Sequence, residues 1–291
     1  CEKTKKRFRT VPSFDELIPI LLKNQLPELL MALILLLAAK LAGNQDRMKD
    51  FWSGFLPPMV IAAVFASMVV LERDLGMPIV LMTVAMAMIL MAGARIKHLA
   101  IAIVPCIALG TALILTFPHR VRRLVAFADP WQYANDEGYQ LIQSLMGFAR
   151  GGVWGTGPGA GEQKLDYLYA AQTDFIFAVW AEEMGLVGTL IVVTLFATVT
   201  LMAFRIALAA EDLFGSLLAG GIAFLLALQA SLNMAVSVGL VPTKGLPLPF
   251  ISYGGSSLLV FLALIGVLLN IGLQAEPVDA GDRRLRPATT T

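Results

Sequence analysis

Six stretches of this chain, 51–71, 75–94, 99–118, 184–204, 213–243 and 245–274, run without a single Lys, Arg, Asp, Glu or His. A helix needs about 20 apolar residues to cross the hydrocarbon of a bilayer, so four of these runs fit one span each. The last two are longer, and their Gly and Pro content predicts a helix plus part of a loop. A seventh run, 26–43, qualifies if Lys40 snorkels to the interface. The chain therefore reads as all-α, a polytopic helical bundle with seven visible spans that forms one membrane domain over 1–291. Composition agrees: 57% of the 291 residues are hydrophobic and 15% charged, too apolar for a soluble domain. A net charge of +1 argues against a nucleic-acid partner. Cys1 and Cys106 provide neither a disulfide framework nor a metal cluster.

One long polar connection, 119–173, joins the fourth and fifth spans. It exceeds what a structureless link normally spans and reads as a functional loop on one face of the membrane. The short loops around 44–50, 94–98 and 205–212 and the tail at 276–291 fall on the other face. Arg283, Arg284 and Arg286 favour the cytoplasm for that side, although the basic start of the chain pulls the opposite way.

Chemistry concentrates in the long loop and before the last span. HRVRRLVAFADPW sets Arg120, Arg122 and Arg123 just past a span. They suit either a phosphate or pyrophosphate at headgroup depth or the anionic lipid surface itself. GGVWGTGPGAGEQK follows, with Lys164 after its glycines. Such a run admits close backbone approach to a ligand or makes tight turns, and it is no P-loop. Asp174, Glu182 and Glu183 then head an apolar run. The glutamates lie about 12 to 14 Å along a helix from Asp174, too far to share its proton. Asp174 itself is either a functional acid at membrane depth or an N-cap. Finally, VPTKGLPLPFISYGGSS frames Lys244 with prolines and glycines, as if to face a ligand or a carboxylate. An interfacial lysine reaching headgroups would need no such rigid frame.

Taken together, DPW, EGYQLIQSL, GEQKLDYL, TDFIFAVWAEEMGLVG and VPTKGLPLPFISYGGSSL resemble the SEDS family of peptidoglycan polymerases, whose members include RodA, FtsW and SpoVE. The contexts of Lys164 and Lys244 look more like the FtsW/SpoVE branch. The resemblance implies about ten spans in a full member, so that the seven here match the fourth to tenth and residue 1 lies in an extracytoplasmic loop. It places 119–173 and 241–253 outside the cytoplasmic membrane of a bacterium. It also implies glycosyl transfer from lipid II with release of undecaprenyl pyrophosphate, a divalent cation such as Mg or Mn, and partnership with a class B penicillin-binding protein transpeptidase and other division or elongation membrane proteins. By the same resemblance Asp174 is the catalytic residue, acting as the base. Substrate would be held by Arg120, Arg123, Lys164, Lys244, Gln140, Ser144, Thr173, Ser252, Tyr253 and Ser256. Departures from the family pattern are Met31 in place of a lysine after Glu28, Gln172 in place of a histidine before Thr173, YLYA at 167–170 and ERD at 72–74. Two other readings use the same motifs: a lipid II flippase, for which Gln229 and Asn233 would line a polar path or simply join helices, and a non-catalytic scaffold.

Overall fold

A computed structural model describes residues 14–70, 76–163 and 173–275, with the side chains of 14–26, 113 and 119 left aside. Among these residues the chain is all helical, with no strand. The long helices are α1 (Phe14–Ala42), α2 (Leu56–Val70), α3 (Gly76–Met91), α4 (Ile96–Thr116), α5 (Pro118–Ala128), α6 (Tyr139–Gly151), α7 (Ile176–Ala209), α8 (Leu213–Ser237) and α9 (Gly255–Gln274). A π-helical turn, Phe51–Phe55, runs directly into α2. Asp50 caps it, accepting from Ser53 N at 3.0 Å and Ser53 Oγ at 2.6 Å. These hydrogen bonds, led by the hydroxyl, hold the Asp50 carboxyl below its usual range.

Each of the seven apolar runs contains a helix among the described residues. Five helical stretches, Phe51–Val70, α4, α7, α8 and α9, are long and apolar enough to cross a membrane, and α3 is a shorter apolar helix. This is a multi-pass membrane protein. The two longest runs divide as their composition predicts: α8 ends at Ser237, α9 starts at Gly255, and the Pro- and Gly-rich segment between them is a loop.

The core forms where α1, α3 and α8 meet. Leu33, Ile34, Leu37, Val80, Val84, Met88, Ile222 and Leu225 are all buried. Gly220 and Gly221 let α8 approach closely: a Cβ there would stand 3.0 Å from Met91 Sδ and 2.8 Å from Met88 Sδ. Small residues at helix contacts are how membrane helices gain packing when lipid offers no hydrophobic contrast. The opposite extreme is α4, which buries none of its span and leaves Val104, Ile107 and Leu109 outward. In water such a surface would aggregate, whereas lipid tails match it.

The described part of the 119–173 connection, up to residue 163, is built rather than loose. It carries the amphipathic helix α5, a 3-10 turn at Pro130–Tyr133, and α6, which packs along α7.

Candidate active site

Helix α7 is too long for one straight crossing, about 50 Å at 1.5 Å per residue. The chain breaks it at Gly185, with φ 65° and ψ −164°. A short helix, 176–184, precedes the break, and 186–209 remains to cross the bilayer. The break strips intrahelical partners from carbonyls before it and amides after it, and such groups are costly to leave bare near lipid. The glycine-rich loop restores them. Thr156 N donates to Glu182 O at 2.9 Å and Gly157 N to Glu183 O at 3.0 Å, while Leu186 N and Val187 N donate to Gly152 O and Val153 O at 2.9 and 3.3 Å.

This contact explains the glycines. A Cβ on Gly185 would fall 2.4 Å from Gly155 N, and one on Gly155 2.1 Å from Glu183 O. Both residues also have positive φ. The loop's close approach is to the backbone of α7, and nothing in the described part of the loop reserves that approach for a ligand.

The paired glutamates serve the same junction. Glu182, 1% exposed, accepts from Glu162 N at 3.1 Å and Gln163 N at 3.0 Å, and lies 3.6 Å from an Arg150 guanidinium nitrogen. Arg150 also pairs with Glu162, and Glu183 accepts from Gly159 N at 3.0 Å. Sequence reasoning missed Arg150. Its only signal was a lone cation at the end of an amphipathic segment, and the partner acid is remote in sequence.

Asp174 is separate from this junction and differently used. The helix N-cap is Phe175, so the capping alternative for Asp174 is not what the fold adopts. Asp174 sits one residue earlier, half-buried, with its carboxylate against the loop between α8 and α9. A Cβ on Gly245 would come within 3.0 Å of Asp174 Oδ2, so the acid borders the space that a side chain after Lys244 would fill. The two segments are also tied through their backbones. Asn233 Nδ2 donates to Asp174 O at 2.8 Å and to Leu246 O at 2.6 Å. Ser252 Oγ donates to Thr173 O at 2.5 Å and accepts from Leu248 N at 2.7 Å. Gln229 Nε2 donates to Pro247 O at 3.2 Å.

The fold thus brings Asp174, Thr173, Lys244 and Ser252 to one end of the bundle, where α7 begins and α8 ends. Tyr253 is 80% exposed on the same loop, and Ser256 lies in the first turn of α9. Gln140, partly buried, opens α6. Arg120 and Arg123 ride on α5, whose main packing partners are α4 and the turn at Pro130–Tyr133. Arg120 lies over the Phe117 ring at 4.4 Å, and Arg123 is exposed. Ser144 and Ser252 depart from the expected substrate contact. Ser144 is fully buried and donates to Ser237 O at 2.7 Å, and the Ser252 hydroxyl is engaged by backbone on both sides. Both are fastenings in this structure. Lys164, Gln172, the 167–170 segment, the 72–74 segment and the tail lie outside the described residues. Met31, where the SEDS pattern has lysine, packs against the core of α1, α3 and α8.

Comparisons with known proteins identify relatives of the fold. The FtsW/RodA/SpoVE family, described as "Cell cycle protein", matches residues 27–276. The chain is 45% identical over 243 residues to a probable peptidoglycan glycosyltransferase FtsW of Geobacter sp. (strain M18), covering 82% of this chain and 65% of that protein. It therefore spans slightly less than two thirds of that relative's length. Among solved structures, it is similar at 27% identity and a TM-score of 0.69 to a chain from work described as "Structural coordination of polymerization and crosslinking by a peptidoglycan synthase complex", covering 86% of this chain and 70% of that one. The rod shape determining protein RodA of Thermus thermophilus, at 22% identity, shares the fold with a TM-score of 0.52, covering 90% of this chain and 84% of that one.

Proposed function

Because the chain belongs to the FtsW/RodA/SpoVE family of cell cycle proteins, we propose that it carries the reaction centre of a peptidoglycan glycosyltransferase that polymerises lipid II in cell division or shape maintenance. The observation that carries this reading is the acid at the end of the bundle: Asp174, placed ahead of its helix cap and packed against Gly245, beside Lys244. A carboxylate there accepts the proton of an attacking sugar hydroxyl. The new bond forms between that oxygen and the anomeric carbon of the donor, as the bond from that carbon to the pyrophosphate breaks. Undecaprenyl pyrophosphate leaves with the electron pair, and Lys244 is the cation assigned to stabilise the developing charge. Arg120 and Arg123 are second candidates for phosphate contact.

The relative's name, a probable peptidoglycan glycosyltransferase, supports this reaction, and the peptidoglycan synthase complex supports pairing with a crosslinking partner. We assign that partner to the class B penicillin-binding proteins and the location to the bacterial cytoplasmic membrane, with 119–173 and 241–253 outward and the loops at 44–50, 94–98 and 205–212 inward.

A divalent cation fits this site in one way only. Among the described residues no three His, Cys, Asp or Glu side chains cluster to cage an ion. Hard ions such as Mg commonly keep substrate phosphates in their shell, so an ion here would arrive with the pyrophosphate rather than sit in a preformed protein cage. An ion so held would neutralise leaving-group charge.

The flippase reading needs a polar path through the bundle. Gln229 and Asn233 are each 1% exposed, and Gln229 gives one amide hydrogen and Asn233 both to backbone carbonyls, which favours a joining role over a lining one. A single-turnover assay with labelled lipid II separates the readings. Glycan strands support the transferase, transbilayer movement without strands supports the flippase, and neither supports a scaffold.

A further inference from the structure

One side-chain amide holds both halves of the proposed centre. Asn233, 1% exposed, lies in the last turns of α8. Its Nδ2 carries two hydrogens, and each is used: one bonds Asp174 O at 2.8 Å, the other Leu246 O at 2.6 Å. The first carbonyl belongs to the acid itself, the second to the residue two after Lys244. Few side chains can substitute. Ser or Thr has one hydrogen to give, Leu has none, and Gln sets the amide one methylene further out.

The clamp is itself braced. Ser237 Oγ donates to Asn233 O at 3.0 Å, and Ser144 Oγ donates to Ser237 O at 2.7 Å, so a line of buried hydroxyls ties this turn of α8 to α6. Ser252 joins the same two segments independently, between Thr173 O and Leu248 N. Losing the amide bridge therefore loosens the pair without separating it.

Building on the catalytic reading above, we infer that Asn233 is a positioning residue that sets Asp174 against the Lys244 loop, acting through backbone carbonyls and touching no substrate. The base and the cation work at opposite ends of one reacting array, the base on the incoming hydroxyl and the cation on the departing pyrophosphate. Rates in such arrays are steep in geometry, and a misplacement of about 1 Å can cost 100-fold. Binding of the long lipid substrate, spread over many contacts, is much less sensitive. The signature is thus a fall in kcat with KM nearly unchanged.

The test is a double-mutant cycle in the full chain, reading initial rates of polymerisation across lipid II concentrations for the parent, Asn233→Ala, Asp174→Asn and the double variant, with thermal unfolding of each. The expected result is a loss of about 10- to 100-fold in kcat for Asn233→Ala, with KM within about threefold and an unfolding midpoint lowered equally in both backgrounds, because two carbonyls lose their donor. In the Asp174→Asn background the same change should cost less than about threefold, because the group it positions is already gone. An equal loss of rate in both backgrounds would mean general loosening and overturn the inference. Parental rates for Asn233→Ala beside an inactive Asp174→Asn would overturn it alone, whereas near-parental rates for Asp174→Asn would sink the catalytic reading and the clamp together. Should the alanine variant misfold, Asn233→Ser, which adds no charge and keeps one hydrogen to give, carries the same cycle.

Discussion

Replacing Gly245 with alanine tests whether the packing of the acid against the loop matters for turnover. Gly245 is exposed, lies outside regular secondary structure, and is not among the residues with positive φ, so alanine is tolerated by the backbone. The added Cβ would stand 3.0 Å from Asp174 Oδ2 and 3.6 Å from its Cγ, where ordinary contact begins at 3.4 Å. The carboxylate must give by about 0.4 Å, which a side-chain rotation of some 30° accommodates at a cost of about 0.5 to 1.5 kcal/mol. If that cost falls on the reactive geometry, polymerisation slows by about 2- to 12-fold. Gly245→Val, with two further methyl groups at the same place, should slow it more. The control is Gly110→Ala on α4, where a Cβ meets nothing within 4 Å. Rates of strand synthesis from labelled lipid II, with thermal unfolding alongside, supply the readout. Parental rates in both the alanine and the valine variants would refute the placement of the acid against this loop.

Lys244→Ala should weaken binding of the pyrophosphate-bearing lipid by about 10- to 150-fold, since a charge-assisted contact is worth about 1.5 to 3 kcal/mol; direct binding in nanodiscs measures it. Gly185→Ala places a side chain 2.4 Å from Gly155 N at a φ of 65°, so it should cost about 3 kcal/mol or more and show as a lowered unfolding midpoint or lost folded yield. Glu182→Gln should destabilise by about 1 to 3 kcal/mol, as the buried carboxylate loses part of its bonding to two backbone amides and to an arginine that is itself 44% exposed. For topology, a cysteine at Trp154, 82% exposed, should label from the outer face and one at Glu211 should not. Gly161 is unsuitable for such labelling, because a Cβ there meets both Glu182 and Glu183 at 3.0 Å.

Much of the helical layout was legible because its signal is local. A charge-free run predicts a helix by its length alone, and 75–94 and 99–118 became Gly76–Met91 and Ile96–Thr116. The position of the acid was also legible: an acid at the head of an apolar run belongs near its start, and Asp174 lies just before α7. What the sequence hid is pairing across distance. The glycines at 152–161 read equally well as a ligand cradle, and only the break at Gly185 reveals that they complete a severed helix. Ser144 and Ser252 carry hydroxyls that suit a sugar headgroup, and nothing within a few residues of either shows that a backbone carbonyl has claimed the proton. Asn233 could be named as a polar residue inside the bundle, but its two acceptors come from segments 59 and 13 residues away.

The central claim is that Asp174 is the base, and Asp174→Asn in the full chain measures it most directly. The amide keeps the size of the acid and its fit against Gly245 but cannot take a proton. With folding, membrane insertion and binding of the transpeptidase shown to be intact, the account predicts that strand synthesis from lipid II falls by about 10² to 10⁴. Near-parental strand synthesis by the same variant would contradict it.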